Sequence, residues 1–214
     1  ELRLYAGIFV GSTALITLNL CLNNIYGSVG ETIRHSAFQV SSIMTTTGFA
    51  TTDFDLWPSF SKAILLILMF TGACAGSTGG GIKCARLLLL LKNLRRNIHK
   101  IIHPQRIQAV RVNGRTVNER VLDNTNSYLA AYVLIVVTSF MVISLDGFSV
   151  TTNFSAVMAC FNNIGPGLEV VGPICNYAGF SPMSKIVLIA DMLAGRLEIF
   201  PMLILLFRST WKKK

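Results

Sequence analysis

Charge is what this sequence has least of: only 14% of its 214 residues are Asp, Glu, Lys or Arg, against about a quarter in soluble globular domains. With 52% apolar residues and a mean hydropathy of +0.56, that shortage excludes an ordinary water-soluble enzyme. Acids are scarcer than bases, 10 against 19. The five cysteines (Cys21, Cys74, Cys84, Cys160, Cys175) contain no CxxC pair and mostly sit in apolar runs. They encode neither a disulfide framework nor a zinc site and read as small apolar fillers. No Ser/His/Asp, Cys/His or paired-carboxylate arrangement stands out, so no enzymatic activity is expected. The first apolar run lacks a basic leader and a small-residue cleavage site, so no signal peptide is read, and the opening at Glu1 reads as a chain entered partway.

What is present is patterned for a bilayer. Leu4 to Leu22 and Tyr128 to Leu145 carry no charged residue, and each approaches the ~20 residues needed to cross a ~30 Å hydrocarbon core. Ten of the 19 basic residues lie between Lys83 and Arg120, and Arg208 and Lys212–Lys214 close the chain. Basic residues concentrate on the cytoplasmic side, so residues 92–124 and the C-terminus are expected in the cytoplasm. The first run then travels outward, Phe60 to Leu91 returns inward, and the loops 23–59 and 146–181 face outside.

The sequence also repeats. Ser61-Lys62, Met69 and Gly72 recur as Ser184-Lys185, Met192 and Gly195 at the same spacings. Upstream of each, a short amphipathic segment (Ser36–Met44, Ser155–Phe161) ends in a Gly-centred turn, TTTGF in one copy and NNIGPG in the other. At 1.5 Å per residue neither segment can cross a bilayer, so both are expected to re-enter the membrane from outside. Irregular backbone survives at that depth only when buried in protein or lining a water-filled path. Glycine in such a turn reaches φ > 0 and lets successive carbonyls replace the hydration shell of a monovalent cation. Amphipathic connectors lying on the membrane surface would be the alternative, but such connectors need not recur with the same ending.

Phe60 to Leu91 would reach roughly 48 Å as one straight helix, well beyond the hydrocarbon core. Within it, Thr71 to Gly81 holds five glycines in eleven positions, a composition that costs a helix about 1 kcal/mol per Gly. The stretch is expected to unwind mid-membrane, although a seam of small residues for helix packing would share its composition. It is not a phosphate loop, because Ile82 separates Gly81 from Lys83. In the last apolar stretch, Ile186 to Phe207, the charges Asp191, Arg196 and Glu198 are functional candidates by cost alone. Arg196 follows Gly195, the counterpart of Gly72. It either pairs with Asp191 or Glu198 to lock helices, or faces the path.

The runs TTTGFATTDF (Thr45 to Phe54), GSTGGGIK (Gly76 to Lys83), NNIGPG (Asn162 to Gly167) and MLAGRLEIFPML (Met192 to Leu203) resemble the Trk/Ktr/HKT superfamily of potassium transporters, and in particular its bacterial Trk-type membrane subunits. The resemblance covers essentially the whole chain. It implies an all-α polytopic membrane protein of tandem helix–pore loop–helix units, with this chain as the C-terminal half. Residues 1–91 would form the third unit, 92–124 a cytoplasmic basic linker, and 125–214 the fourth unit with a basic tail. Gly48 and Gly165 match the selectivity-filter glycines, with Thr45, Thr46, Thr47, Phe49, Asn163, Ile164 and Pro166 beside them. Thr46, Thr47, Asn163 and Ile164 would ligate K⁺. Gly76, Ser77, Thr78, Gly79, Gly80 and Gly81 match an intramembrane gate loop, with Arg196 as a pore arginine.

Potassium uptake across the inner membrane, by symport or channel-like conduction, is therefore the expected function. The transported ion is K⁺ and no bound cofactor is expected. The resemblance implies the N-terminal half of the same transporter as partner, a homodimer, and a cytosolic nucleotide-binding regulatory subunit. His99 and His103 lie among Arg95, Arg96 and Lys100 and read as a solvated basic face, which with Arg106, Arg111 and Arg115 suits anionic lipid or an acidic partner better than nucleic acid. A Na⁺-permeable or Na⁺/K⁺-coupled transporter of the same fold, or a non-conducting membrane scaffold or sensor, are the competing expectations.

Overall fold

The computed structural model describes residues 1–77, 79–103, 110–112, 115–197 and 199–206. Eight helices dominate the described residues: α1 (Leu2–Leu22), α2 (Val29–Met44), α3 (Ser59–Met69), α4 (Cys84–Ile102), α5 (Glu119–Ile143), α6 (Val150–Phe161), α7 (Pro182–Leu197) and α8 (Ile199–Leu206). Two-residue strands pair Thr71–Gly72 (β1) with Ile82–Lys83 (β2) in parallel, and Arg111–Val112 (β3) with Arg115–Thr116 (β4) in antiparallel.

Among the described residues, two helices are long and apolar enough to cross a membrane. These are Leu2–Leu22, with a mean hydropathy of 1.6, and Glu119–Asp146, with 2.3. Each begins a three-helix group: α1 packs on α2 and α3, and α5 packs on α6 and α7. Leu15 and Leu18 on α1, Leu134 and Met141 on α5, and Ile186 and Ile189 on α7 are exposed, as lipid-facing side chains of membrane helices are. Contacts between α3 and α6 join the groups. Phe70 bridges them, its ring 6.4 Å from that of Tyr132 and 6.2 Å from that of Phe154. Tyr132 in turn meets Phe161 edge-to-face at 4.8 Å.

Two expectations need correction, on the short helices and on the cysteines. The short helices start well before Ser36 and Ser155, at Val29 and Val150, because Ser28 and Ser149 cap them by accepting the N–H groups of Glu31 and Thr152. At 16 and 12 residues they still reach only about 24 and 18 Å, short of a crossing. Helices α4 and α5 also run into the basic segment from both sides, ending at Ile102 and starting at Glu119. The Arg96–Glu119 ion pair and Arg86 lying 4.0 Å over the Tyr128 ring clamp them together. Pro104, Arg106, Gly114, Glu198, Arg208 and Lys212–Lys214 lie outside the described residues. Finally, Cys84 and Cys160 are buried and Cys21 and Cys74 half-buried, but Cys175 is exposed in the loop before α7 and fills no core.

Candidate functional site

The turns that follow α2 and α6 repeat one backbone conformation, 117 positions apart. The N–H groups of Thr45, Thr46, Thr47 and Gly48 donate back to the carbonyls of Ser41, Ile43, Ser42 and Ser42; those of Asn162, Asn163, Ile164 and Gly165 donate to Met158, Cys160, Ala159 and Ala159 in the same order. N–H and C=O point oppositely across a planar trans peptide. With the N–H groups aimed at the helix ends, the carbonyls of Thr45, Thr46 and Thr47, and of Asn162, Asn163 and Ile164, project away from them. Left-handed φ occurs at matched positions too: Thr46 at 57° and Asn163 at 56°, Gly48 at 75° and Gly165 at 106°. For Thr and Asn such φ values are uncommon and mark a backbone held by its surroundings.

The turns meet each other. A Cβ on Gly48 would collide with the Ile164 carbonyl and lie 3.2 Å from Pro166 Cδ. Gly48 therefore needs its missing side chain for close approach as well as for φ. Gly165 needs it for φ alone, since a Cβ there meets nothing within 4 Å. Thr46, Thr47, Asn163, Ile164 and Gly165 share the wall of one cavity of about 580 Å³. Thr45 caps α2 and donates through Oγ1 to the Ser41 carbonyl at 2.7 Å, and its hydroxyl is also 3.0 Å from that of Thr47. The Phe49 ring is exposed, while its carbonyl accepts the Ser42 hydroxyl at 2.6 Å. Asn163 donates through Nδ2 to the Met192 carbonyl of α7 at 3.1 Å.

The described residues of the glycine-rich stretch between Met69 and Cys84 are non-helical, and the β1–β2 pair closes its base. Its far side sits against the turns. A Cβ on Gly79 would stand 3.1 Å from Thr46 Oγ1, one on Gly80 would collide with the Asn162 carbonyl, and one on Gly81 would stand 2.9 Å from Asn162 Oδ1. Ser77 Oγ accepts the Gly79 N–H at 3.1 Å. Gly76, at φ +86°, faces open space, and Thr78 lies outside the described residues. On the other unit, a Cβ on Gly195 would collide with the Phe161 carbonyl at the end of α6. Arg196, exposed on α7, follows directly. Asp191 is 2% exposed and accepts the Ser139 hydroxyl of α5 at 2.7 Å, which ties it to the α5–α7 seam.

Sequence reasoning overlooked three residues. Asn162 links the Tyr132 hydroxyl (3.0 Å), the glycine stretch and the α6 terminus. Ser42 and Tyr177 hold turn carbonyls, Tyr177 donating to that of Gly165 at 2.7 Å. Tyr177 had a signal: the displacement relating Ser61-Lys62 to Ser184-Lys185 also relates the turn Phe54–Leu56 to Tyr177–Gly179. Among the described residues no cluster of three or more His, Cys, Asp or Glu side chains could hold a metal. The oxygens gathered at the turns are neutral carbonyls and hydroxyls, a set suited to a weakly hydrated monovalent cation.

A family model described as TrkH, cation transport protein, matches residues 15–212. The Trk system potassium uptake protein TrkH of Escherichia coli is 38% identical over 213 residues, covering 100% of this chain and 44% of that protein. The TrkG protein of the same organism is 34% identical over 212 residues, covering 99% and 43%. The crystal structure of the potassium transporter TrkH from Vibrio parahaemolyticus superposes with a TM-score of 0.90 at 38% identity, covering 98% of this chain and 44% of that one. The chain thus spans less than half the length of the curated relatives it matches.

Proposed function

The chain belongs to the TrkH family of cation transport proteins, and from that premise we propose that it supplies two of the pore-forming units of a potassium-uptake transporter. Residues 1–91 and 125–214 are the two units and 92–124 their cytoplasmic connection. The single observation that carries this reading is the contact between two turns of identical hydrogen-bond pattern, Gly48 seated against the Ile164 carbonyl.

A K⁺ ion entering from outside exchanges its water for carbonyl oxygens of the two turns, with Thr46, Thr47, Asn163 and Ile164 as ligands on this half. The C-terminal ends of α2 and α6 point at the same place, and their negative dipole ends favour a cation there. The membrane potential drives inward movement, worth about 2.3 kcal/mol per charge per 100 mV. Beneath the filter, Gly76–Gly81 obstructs the path, and Arg196 adds a fixed positive charge that opposes cation passage until loop or side chain moves. Because Gly79, Gly80 and Gly81 abut Thr46 and Asn162, displacement of the loop and rearrangement of the filter are coupled. The complete transporter adds the N-terminal half, pairs as a homodimer in the inner membrane, and offers its basic cytoplasmic face to anionic lipid and to a nucleotide-binding regulatory subunit.

Flux of K⁺, Rb⁺ and Na⁺ into liposomes carrying the complete transporter tests this reading. K⁺ and Rb⁺ should pass in preference to Na⁺, and Gly48→Ala should abolish the preference or the flux. Equal entry of Na⁺ would contradict a potassium filter. Ion movement unaffected by Gly48→Ala would remove the turns from the path.

A further inference from the structure

We propose that Tyr177 is a positioning residue for ion selectivity: its phenol holds the Gly165 carbonyl in place at the turn after α6. The proposal rests on the reading of the two turns as a filter, and adds to it a residue outside the turns themselves.

The Gly165–Pro166 peptide is a weak point. Proline has no N–H, so the Gly165 oxygen is the only atom of that peptide a hydrogen bond can hold. Gly165 sits at φ +106° with open space where a side chain would be, so no side chain of its own holds it. The Tyr177 hydroxyl donates to that oxygen at 2.7 Å. Tyr177 is itself fixed. Its ring stacks on Phe180 at 5.9 Å, the Phe180 N–H donates to its carbonyl, and the next residue's carbonyl accepts Lys185 Nζ at 2.8 Å.

The other unit holds the next carbonyl along, from the opposite side. Phe54 occupies the position of Tyr177, in a one-turn helix capped alike by Asp53 and Asn176, and it has no hydroxyl. There the pore-helix residue Ser42 donates to the Phe49 carbonyl at 2.6 Å, and the counterpart of Ser42 is Ala159, which has no hydroxyl. Each turn therefore has one hydroxyl anchor at its outer end, taken from the pore helix in one unit and from the outer loop in the other. Without its anchor the end of a turn can shift and carry the neighbouring ligand carbonyl, Ile164 in one unit and Thr47 in the other, away from a dehydrated ion, and the smaller Na⁺ gains from the looser site.

The test uses the complete transporter in proteoliposomes, reading the ratio of Rb⁺ to Na⁺ flux in the unaltered protein, Tyr177→Phe, Tyr177→Ala, and a variant with p-aminophenylalanine at 177. Tyr177→Phe keeps the ring and its stacking. Its ratio should fall about three- to tenfold, the change that loss of one neutral hydrogen bond corresponds to, with unchanged membrane level. The weaker amine donor should give an intermediate ratio, and it decides the matter should Tyr177→Phe fail to accumulate. An unchanged ratio in Tyr177→Phe, or a change confined to Tyr177→Ala, overturns the proposal by assigning Tyr177 to packing alone. An unaltered protein that passes no alkali cation would instead overturn the filter reading itself.

Discussion

The turn after α2 and the turn after α6 share every backbone hydrogen bond from the helix end to the glycine, yet their glycines stand in different surroundings. Gly48 is pressed against the opposite turn, whereas Gly165 opens onto free space. Equivalent residues in a repeat therefore carry unequal constraints, one steric and conformational, the other conformational only. Pseudo-symmetry fixes the path of the chain, and the contacts between copies break it.

The largest expected effect breaks that comparison directly. Gly48→Ala combines a strained left-handed φ, about 1–2 kcal/mol, with overpacking of about 1–3 kcal/mol, and should lower K⁺ uptake by roughly a hundredfold or more. Gly165→Ala carries the φ strain alone and should cost about tenfold. Uptake rates of the two variants side by side check this, and equal losses would mean the contact between the turns does not matter. Next, Arg196→Ala or a deletion within Gly76–Gly81 should raise flux about tenfold, as about 1.4 kcal/mol off a barrier does. Reduced or unchanged flux at a normal membrane level would remove both from the gate.

Smaller effects separate the anchors. Ser42→Ala should lower the Rb⁺ to Na⁺ ratio about two- to tenfold by freeing the Phe49 carbonyl, the mirror of the Tyr177→Phe experiment. The smallest effect is expected at the N-terminal end of α6. There the hydroxyls of Ser149 and Thr152 donate to the Glu169 carboxylate and hold it below the usual carboxylate range. A depressed folded value means the stabilisation is present above the ordinary Glu pKa and lost as pH falls through the lower folded one. The thermal midpoint of the complete transporter should therefore drop slightly more on acidification than that of Glu169→Gln, and identical pH profiles would contradict this.

Much of this was legible in the sequence because it depends on local chemistry. Apolar length located α1 and α5, glycine density marked the unwound stretch after Met69, and the Ser-Lys, Met, Gly series exposed the repeat. The starts of α2 and α6 were not legible, because Gly30, Glu31 and Thr32, like Thr151 and Thr152, look like loop until Ser28 and Ser149 are seen to cap them. Asn162 and Tyr177 escaped for a different reason. Their roles lie in hydrogen bonds to residues 30 and 12 positions away, and no spacing rule announces a tertiary contact. The glycines of the stretch after Met69 were visible, but the oxygens of Thr46 and Asn162 that require Gly79 to Gly81 to lack side chains were not.

Anomalous diffraction from crystals of the complete transporter grown in Rb⁺ measures most directly whether these carbonyls hold a dehydrated ion. The expected result is Rb⁺ on the axis faced by the carbonyls of Thr46, Thr47, Asn163 and Ile164, absent in Na⁺ and absent from Gly48→Ala. Rb⁺ found elsewhere, or an axis empty in the unaltered protein, would contradict the account.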